Sequence, residues 1–522
     1  MIRNEGNRRR PMRAALGVSL LLAVALAVGA AVQASAQTKA AASSTAVSSI
    51  TWGVGAQDPA SLDLYTQLDN AAFVITLVYE PLTQPGPGGS VAPMLATSWK
   101  QTGPKTWVFQ LRHGVRFSNG RLLTSRDVVY SFHQFSKGVY GAFFAPATKA
   151  TAVGKYAVRF TLSSPLKALP AEFELFFIGP AGMNLTKQTL GTGPYMVKSH
   201  NKGVSWAFTA NPHYWRKGLP RIKTVNVRLI QDQAALGSAL RAGTVDFEDV
   251  ASIDQAHALA SSTIKVTAVR TPDYYWVGMN AVNPPNAQFK DPRVRQAVNL
   301  AIDRSEMVKI ALGGLGQPSG APAAAWPDGC NVAKMPGGTR DVAKAQALMK
   351  AAGVGPFSTT LYISPATGAI AAPELAQVLQ ANLKDIGITV NIVTQDVATW
   401  ANHVFTKGDF SMALNWFNGL GDPTLRLSTW NPNVSAYVKT FVKDDPTLDT
   451  MIAKANGLAR SKARTALFQQ VCARVMNDAN MLPLTTKPDF VAYRSDRIVP
   501  VFPGLETVGN SFRYIDEFRP AR

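Results

Sequence analysis

The stretch from Thr359 to Thr394 constrains the fold most. A strand opens the unit at Thr359, and from Pro373 to Ile386 the residues Ala376, Leu379 and Leu383 fall on one helical face. Gly387 stops that helix, and Ile388–Thr394 follows at once as a second strand. A strand, a helix and a strand joined this tightly fit α/β layering. The same mixture runs through the chain with no fixed-period repeat. Trp107–Leu111 reads as a strand. Thr124 and Asp127 form a capping-box pattern before Val128, Phe132 and Phe135, the apolar face of a helix. Asp291-Pro292 starts another helix, with Val294, Val298, Ile302 and Val308 at near-helical spacing and Gly313-Gly314 as its end. The Gly/Pro/Ala-rich residues 313–338 read as a long loop.

The N-terminus carries a separate message. Arg3, Arg8, Arg9, Arg10 and Arg13 precede an apolar run from Ala14 to Val32, and Ala34-Ser35-Ala36 supplies the small-x-small pattern of a signal peptidase site. Residues 1–36 are therefore expected to be a cleaved signal peptide and residues 37–47 a disordered Ala/Ser/Thr-rich leader. The alternative is an uncleaved membrane anchor. No Cys lies near the cleavage site to carry a lipid. Cys330 and Cys472 are the two cysteines of the chain. In an oxidising compartment they form a disulfide, or they remain two buried thiols.

Composition removes several functional classes. With 46% apolar and 16% charged residues, the 522-residue chain is globular and buries a large core. Its net charge of +20 is spread along the sequence without an aromatic-basic motif, so nucleic acid is not an expected partner. No G-x-S-x-G, H-E-x-x-H or P-loop pattern occurs, and none of the six His lies one helical turn from another. A dispersed triad, and with it a secreted hydrolase, is the surviving enzymatic alternative.

Motif order then points to a family. Met94–Trp99, Trp107–Gly120 and Asp127–Ser131 come first. Gly191–Tyr195, Asn211–Trp215, Ala242–Asp246 and Met279-Asn280 follow. Phe289–Ala297 with Ala301–Arg304, then Leu383–Ile388 and Gly408–Phe410, complete the series. Together, over about residues 50–500, they resemble family 5 of the bacterial extracellular solute-binding proteins, the oligopeptide-, dipeptide- and nickel-binding group. The resemblance implies an α/β type II (class C) periplasmic binding protein fold, with two main lobes joined by a hinge plus an extra lobe. Lobe I would comprise residues 48–80, 191–272 and 485–522, lobe II residues 81–190 and lobe III residues 273–484. The chain would cross between lobes I and III near Thr271-Pro272 and Pro483-Leu484. It implies a monomeric, non-enzymatic periplasmic protein without a cofactor or metal. That protein would capture peptides or peptide-like solutes between lobes I and III and deliver them to inner-membrane ABC permease subunits with their ATPases. Nickel chelates, opines and sugar-like solutes are alternative ligands.

The resemblance also nominates ligand-binding residues. In the peptide-binding relatives an Asp three places after a Trp pairs with the ligand's ammonium. Here Trp416 is followed by Asn418 and then by Gly419 at that position, with Asp422 beyond. Asp422 is a candidate acid or a turn residue before Pro423. Trp400 and Tyr275 are candidate cleft aromatics. Tyr65 and Thr66 border the cleft in relatives, with Asp63 and Asp69 close enough in sequence to replace the missing acid. Arg426 is a candidate partner for a carboxylate. A Gly419→Asp change is expected to add affinity for free peptides, because a desolvated ammonium needs a counter-charge.

Overall fold

The computed structural model describes residues 47–56, 58–59, 61–66, 72–86, 90–137, 147–250, 253–269, 271–319, 329–365, 369–417, 419, 422–423, 427–433, 435, 437–502 and 514–521. The expected signal peptide, and all of the leader except Val47, lie outside them. Three sheets organise the rest. A seven-stranded sheet runs, in spatial order, Ile264–Val269, Asp489–Arg494, Phe247–Val250, Ser49–Val54, Thr224–Leu229, Ser205–Ala210 and Tyr195–Asn201. A five-stranded sheet runs Ile388–Thr394, Phe357–Ile363, Met412–Phe417, Tyr274–Met279 and Met481–Thr486. A four-stranded antiparallel sheet is built from Ala96–Gly103, Thr106–Leu111, Ala157–Leu162 and Ala147–Ala152.

The strand–helix–strand unit is present as the apolar spacing requires. Phe357–Ile363 and Ile388–Thr394 pair in parallel, from Phe357 opposite Ile388 to Ile363 opposite Thr394. The helix between them, Ala372–Lys384, buries Leu375, Ala376, Leu379 and Leu383. Tyr274–Met279 is buried at every position, which explains why it is apolar throughout rather than alternating. The helix expected from Asp291 to Gly313 is two helices. Pro292–Ala301 is capped by Asp291, which accepts from the Arg293 N–H at 2.8 Å. The chain leaves helical geometry at Ile302, and Asp303 caps a second helix, Arg304–Ala311, by accepting from the Glu306 N–H at 2.9 Å. A capping carboxylate favours a new start over continuation, a competition that apolar spacing does not report. Cys330 and Cys472 form a disulfide, with Cα atoms 6.4 Å apart, which closes the open question about them.

One buried acid stands out. The strand Phe247–Val250 turns Phe247 toward the stacked ring of Trp52 and leaves Glu248 fully buried. Among the described residues neither carboxyl oxygen of Glu248 has a hydrogen-bond partner. Burial pushes its carboxyl up to about 8, with Arg241 opposing the shift. The unfolded chain releases this proton near the ordinary value of 4.5, so stability falls as pH rises from about 4.5 toward 8. Glu248→Gln is expected to remove that slope. Denaturant titrations at pH 5 and pH 8 should show the variant gaining on the native chain by roughly 3 kcal/mol across the window. An equal difference at both pH values would refute it.

Candidate functional site

The chain passes between the seven- and five-stranded sheets twice, from Val269 to Tyr274 and from Thr486 to Asp489. The two passages lie side by side. The Thr271 hydroxyl donates to the Lys487 carbonyl at 2.5 Å, and the Lys487 N–H donates to the Asp273 carbonyl at 2.7 Å. The first passage coincides with the expected Thr271-Pro272. The second does not: Pro483 and Leu484 lie inside the strand Met481–Thr486. Pro483 is tolerated there because the pairing with Tyr274–Met279 shifts register between Tyr274 and Trp276, where a missing N–H costs least.

Charged groups gather at these passages. The Lys487 ammonium lies 2.9 Å from Asp489 Oδ1 and 4.0 Å from Asp273 Oδ2, and 4.4 Å above the Trp416 ring. Burial would lower its proton affinity, but Asp489 and Asp273 outweigh burial and hold it charged, well above the usual lysine range. Asp273 is buried, and its Oδ1 accepts from the Gly419 N–H at 2.7 Å. Asp249 reaches water. Its carboxyl is nonetheless pushed well above the usual range, by desolvation first and then by Asp489, with Lys487 opposing. Asp249 thus lies within electrostatic reach of Asp489 and Lys487 beside the two passages.

The structure brings Trp416 and Gly419 to the two passages. Trp416 is half-buried beneath Lys487. Trp400 is buried in the core, donating from Nε1 to the Tyr362 carbonyl and packing on Trp276 and Phe405. Tyr275 is buried with its hydroxyl against the Ala371 N–H, and burial pushes that hydroxyl up to about 12. Tyr65 is buried against Tyr130 and Phe135, with its hydroxyl 3.1 Å from Ser131 Oγ. Thr66 and Asp63 close a local turn, the Thr66 hydroxyl donating to Asp63 at 3.0 Å. Asp422 forms a buried ion pair with Arg464. Asp69, Asn418 and Arg426 lie outside the described residues.

Gly419 also resists the expected substitution. A Cβ there would overlap both the ring and the backbone of Pro272. Gly419→Asp is therefore expected to destabilise the chain by roughly 1–3 kcal/mol, as overpacking against a rigid neighbour does, without adding affinity for free peptides. Urea titration combined with peptide calorimetry checks it. Unchanged stability with a gain in affinity would restore the reading made from sequence.

Asp249, Asp273, Lys487 and Asp489 were not among the candidates. A signal existed for Asp249, a carboxylate in a short strand otherwise made of Phe247, a buried Glu248 and Val250. The other three are recognisable only once the two passages are adjacent, since more than 200 residues separate Asp273 from Lys487. A shallow recess involves Glu80, Tyr214, Arg216 and Asp516, none of them in either passage. Its polar groups bind one another: Arg216 pairs with Asp516 at 3.1 Å and Tyr214 donates to Asp516 at 3.3 Å. Glu80 accepts from Thr192 at 2.8 Å and from Trp215 Nε1 at 2.9 Å. Among the described residues no group of His, Cys, Asp and Glu is placed to hold a metal ion, and no helix is long and apolar enough to cross a membrane.

Residues 90–437 match the family described as bacterial extracellular solute-binding proteins, family 5 Middle. A probable D,D-dipeptide-binding periplasmic protein of Escherichia coli (strain K12) is 28% identical over 485 residues, covering 87% of this chain and 92% of its own. The nickel-binding periplasmic protein of the same organism is 26% identical over 467 residues, covering 82% and 86%. Among solved structures, an ABC transporter substrate-binding protein from Listeria monocytogenes superposes with a TM-score of 0.78 at 23% identity, covering 91% of this chain and 99% of the other.

Proposed function

This chain belongs to family 5 of the bacterial extracellular solute-binding proteins, and from that membership we propose that it holds a peptide or peptide-like solute in the recess between its seven- and five-stranded sheets and passes it to the permease of an ABC importer. The family's fold is the type II periplasmic binding protein fold. The observation that carries the site is the pair of adjacent passages at residues 271–273 and 487–488, where Asp249, Lys487, Asp489 and Trp416 converge. Two short connections lying side by side suit a hinge, which lets two bodies close on a solute without repacking either core. Lobe I then comprises residues 48–80, 191–272 and about 487–522, lobe II residues 81–190, and lobe III residues 273 to about 486. Export through residues 1–36, cleavage after Ala36, a monomeric state and binding without turnover belong to the same reading. A peptide-like ligand is favoured by the D,D-dipeptide-binding relative, which matches across most of both chains. The nickel-binding relative makes a chelate the second choice.

Mass spectrometry of solute released from protein purified out of its periplasm identifies the ligand directly. Small-angle scattering with and without that solute then tests the hinge, and a smaller radius of gyration in its presence is expected. Conversion of the solute into product, or identical scattering curves at saturation, would defeat the proposal.

A further inference from the structure

An ammonium group that belongs to the chain is already seated beside the two passages. Lys487 Nζ stands 2.9 Å from Asp489 Oδ1, 4.0 Å from Asp273 Oδ2 and 4.4 Å above the Trp416 ring. Carboxylates at the sides and an aromatic face below are the surroundings that an ammonium seeks when it leaves water. The Lys487 side chain is 9% exposed, and its own backbone is fixed by Thr271 and Asp273, so the group is held in place rather than trailing into solvent. Asp273 is also anchored, since its Oδ1 accepts from the Gly419 N–H at 2.7 Å.

We infer that Lys487 determines specificity in this recess: its ammonium fills the cation position made by Trp416, Asp489 and Asp273, so the protein selects solutes that bring no free ammonium to that end. Two ammonium groups cannot share the position, because like charges this close repel strongly in partly desolvated surroundings. A solute with an acylated, amidated or uncharged polar head meets no such repulsion. The inference rests on the recess being the binding site, and the experiment separates the two.

The first arm uses no biological solute. Lys487→Ala should open the position, and calorimetry should find saturable binding of methylammonium that is about ten-fold stronger than in the native chain. Methanol, its neutral counterpart, should show none, and adding Asp489→Asn should weaken the methylammonium signal. Equal responses to methylammonium and methanol would overturn the inference. The second arm compares dipeptides, each free and N-acetylated. The native chain should bind the acetylated forms at least as tightly, and Lys487→Ala should shift preference toward the free forms by about ten-fold. A native chain that prefers free dipeptides ten-fold would overturn the inference without any variant. If no dipeptide binds in either form, the peptide ligand proposed above fails, and the methylammonium arm still decides the role of Lys487. Should Lys487→Ala not fold, Lys487→Gln keeps most of the side chain's bulk without the charge, and the same shift in dipeptide preference is expected of it.

Discussion

Asp422→Ala is expected to destabilise the protein by roughly 3–5 kcal/mol, the cost of stranding a buried charge. Asp422 and Arg464 are 4% and 2% exposed, and their side chains pair directly. The Arg464 guanidinium also lies 5.0 Å over the Phe468 ring inside the helix Lys462–Asp478, so it cannot turn out to water when its partner is lost. Arg460 Nε is 3.8 Å from the same carboxylate, but its exposed side chain is a weaker partner. Asp422→Asn should cost a similar amount, because it removes the charge and keeps the shape. Asp422→Leu with Arg464→Met should recover most of the loss, since replacing both ions removes the uncompensated charge. Urea denaturation of the three variants measures this. A ligand-binding acid would behave differently: stability would stay level while affinity fell, and that result would return Asp422 to the recess.

Removing the disulfide should have an effect of similar size. Cys330 and Cys472 are 142 residues apart, and closing so long a loop in the unfolded chain is worth about 4–5 kcal/mol on the chain-entropy account. The native state holds the two ends together by other means as well. Gln469 donates from its amide to the Gly329 carbonyl at 3.0 Å and accepts from the Asn331 N–H at 3.2 Å, bracketing Cys330 against the helix that carries Cys472. The folded geometry should therefore survive Cys→Ala at both positions while the unfolded state gains freedom. Guanidinium unfolding of the double variant should show a loss of roughly 3–5 kcal/mol with an unchanged circular dichroism spectrum before the transition. Superimposable unfolding curves would show that the crosslink contributes nothing to stability.

The architecture was largely legible in the residues, and the recess was not. The strand–helix–strand unit at residues 357–394 follows from apolar spacing with Gly387 as the stop, a local signal that tertiary packing only reinforces. The break at Ile302–Asp303 was missed because the apolar period continues across it, while a capping carboxylate acts through the backbone. The surroundings of the candidate site residues were hidden for a related reason. Trp400 and Tyr275 are large aromatics, and the same residue types line clefts and fill cores; here both fill the core. Asp422 is paired with Arg464 from 42 positions away. Lys487 and Asp273 lie even further apart in sequence, and no local pattern shows that one would be seated beside the other.

The place of the strand Asp489–Arg494 bears on the order in which this protein can be completed. It lies inside the seven-stranded sheet, hydrogen-bonded to Phe247–Val250 on one side and Ile264–Val269 on the other. A chain emerging from its amino end offers both neighbours early, with an unfilled slot between them and two open rows of backbone donors and acceptors. Nothing can fill that slot natively until residue 489 is available. A product truncated before that point keeps two unsatisfied strand edges and presents them to proteases and to other chains. The sheet thus serves as a length gauge, in which only a molecule synthesised past residue 494 can close the slot.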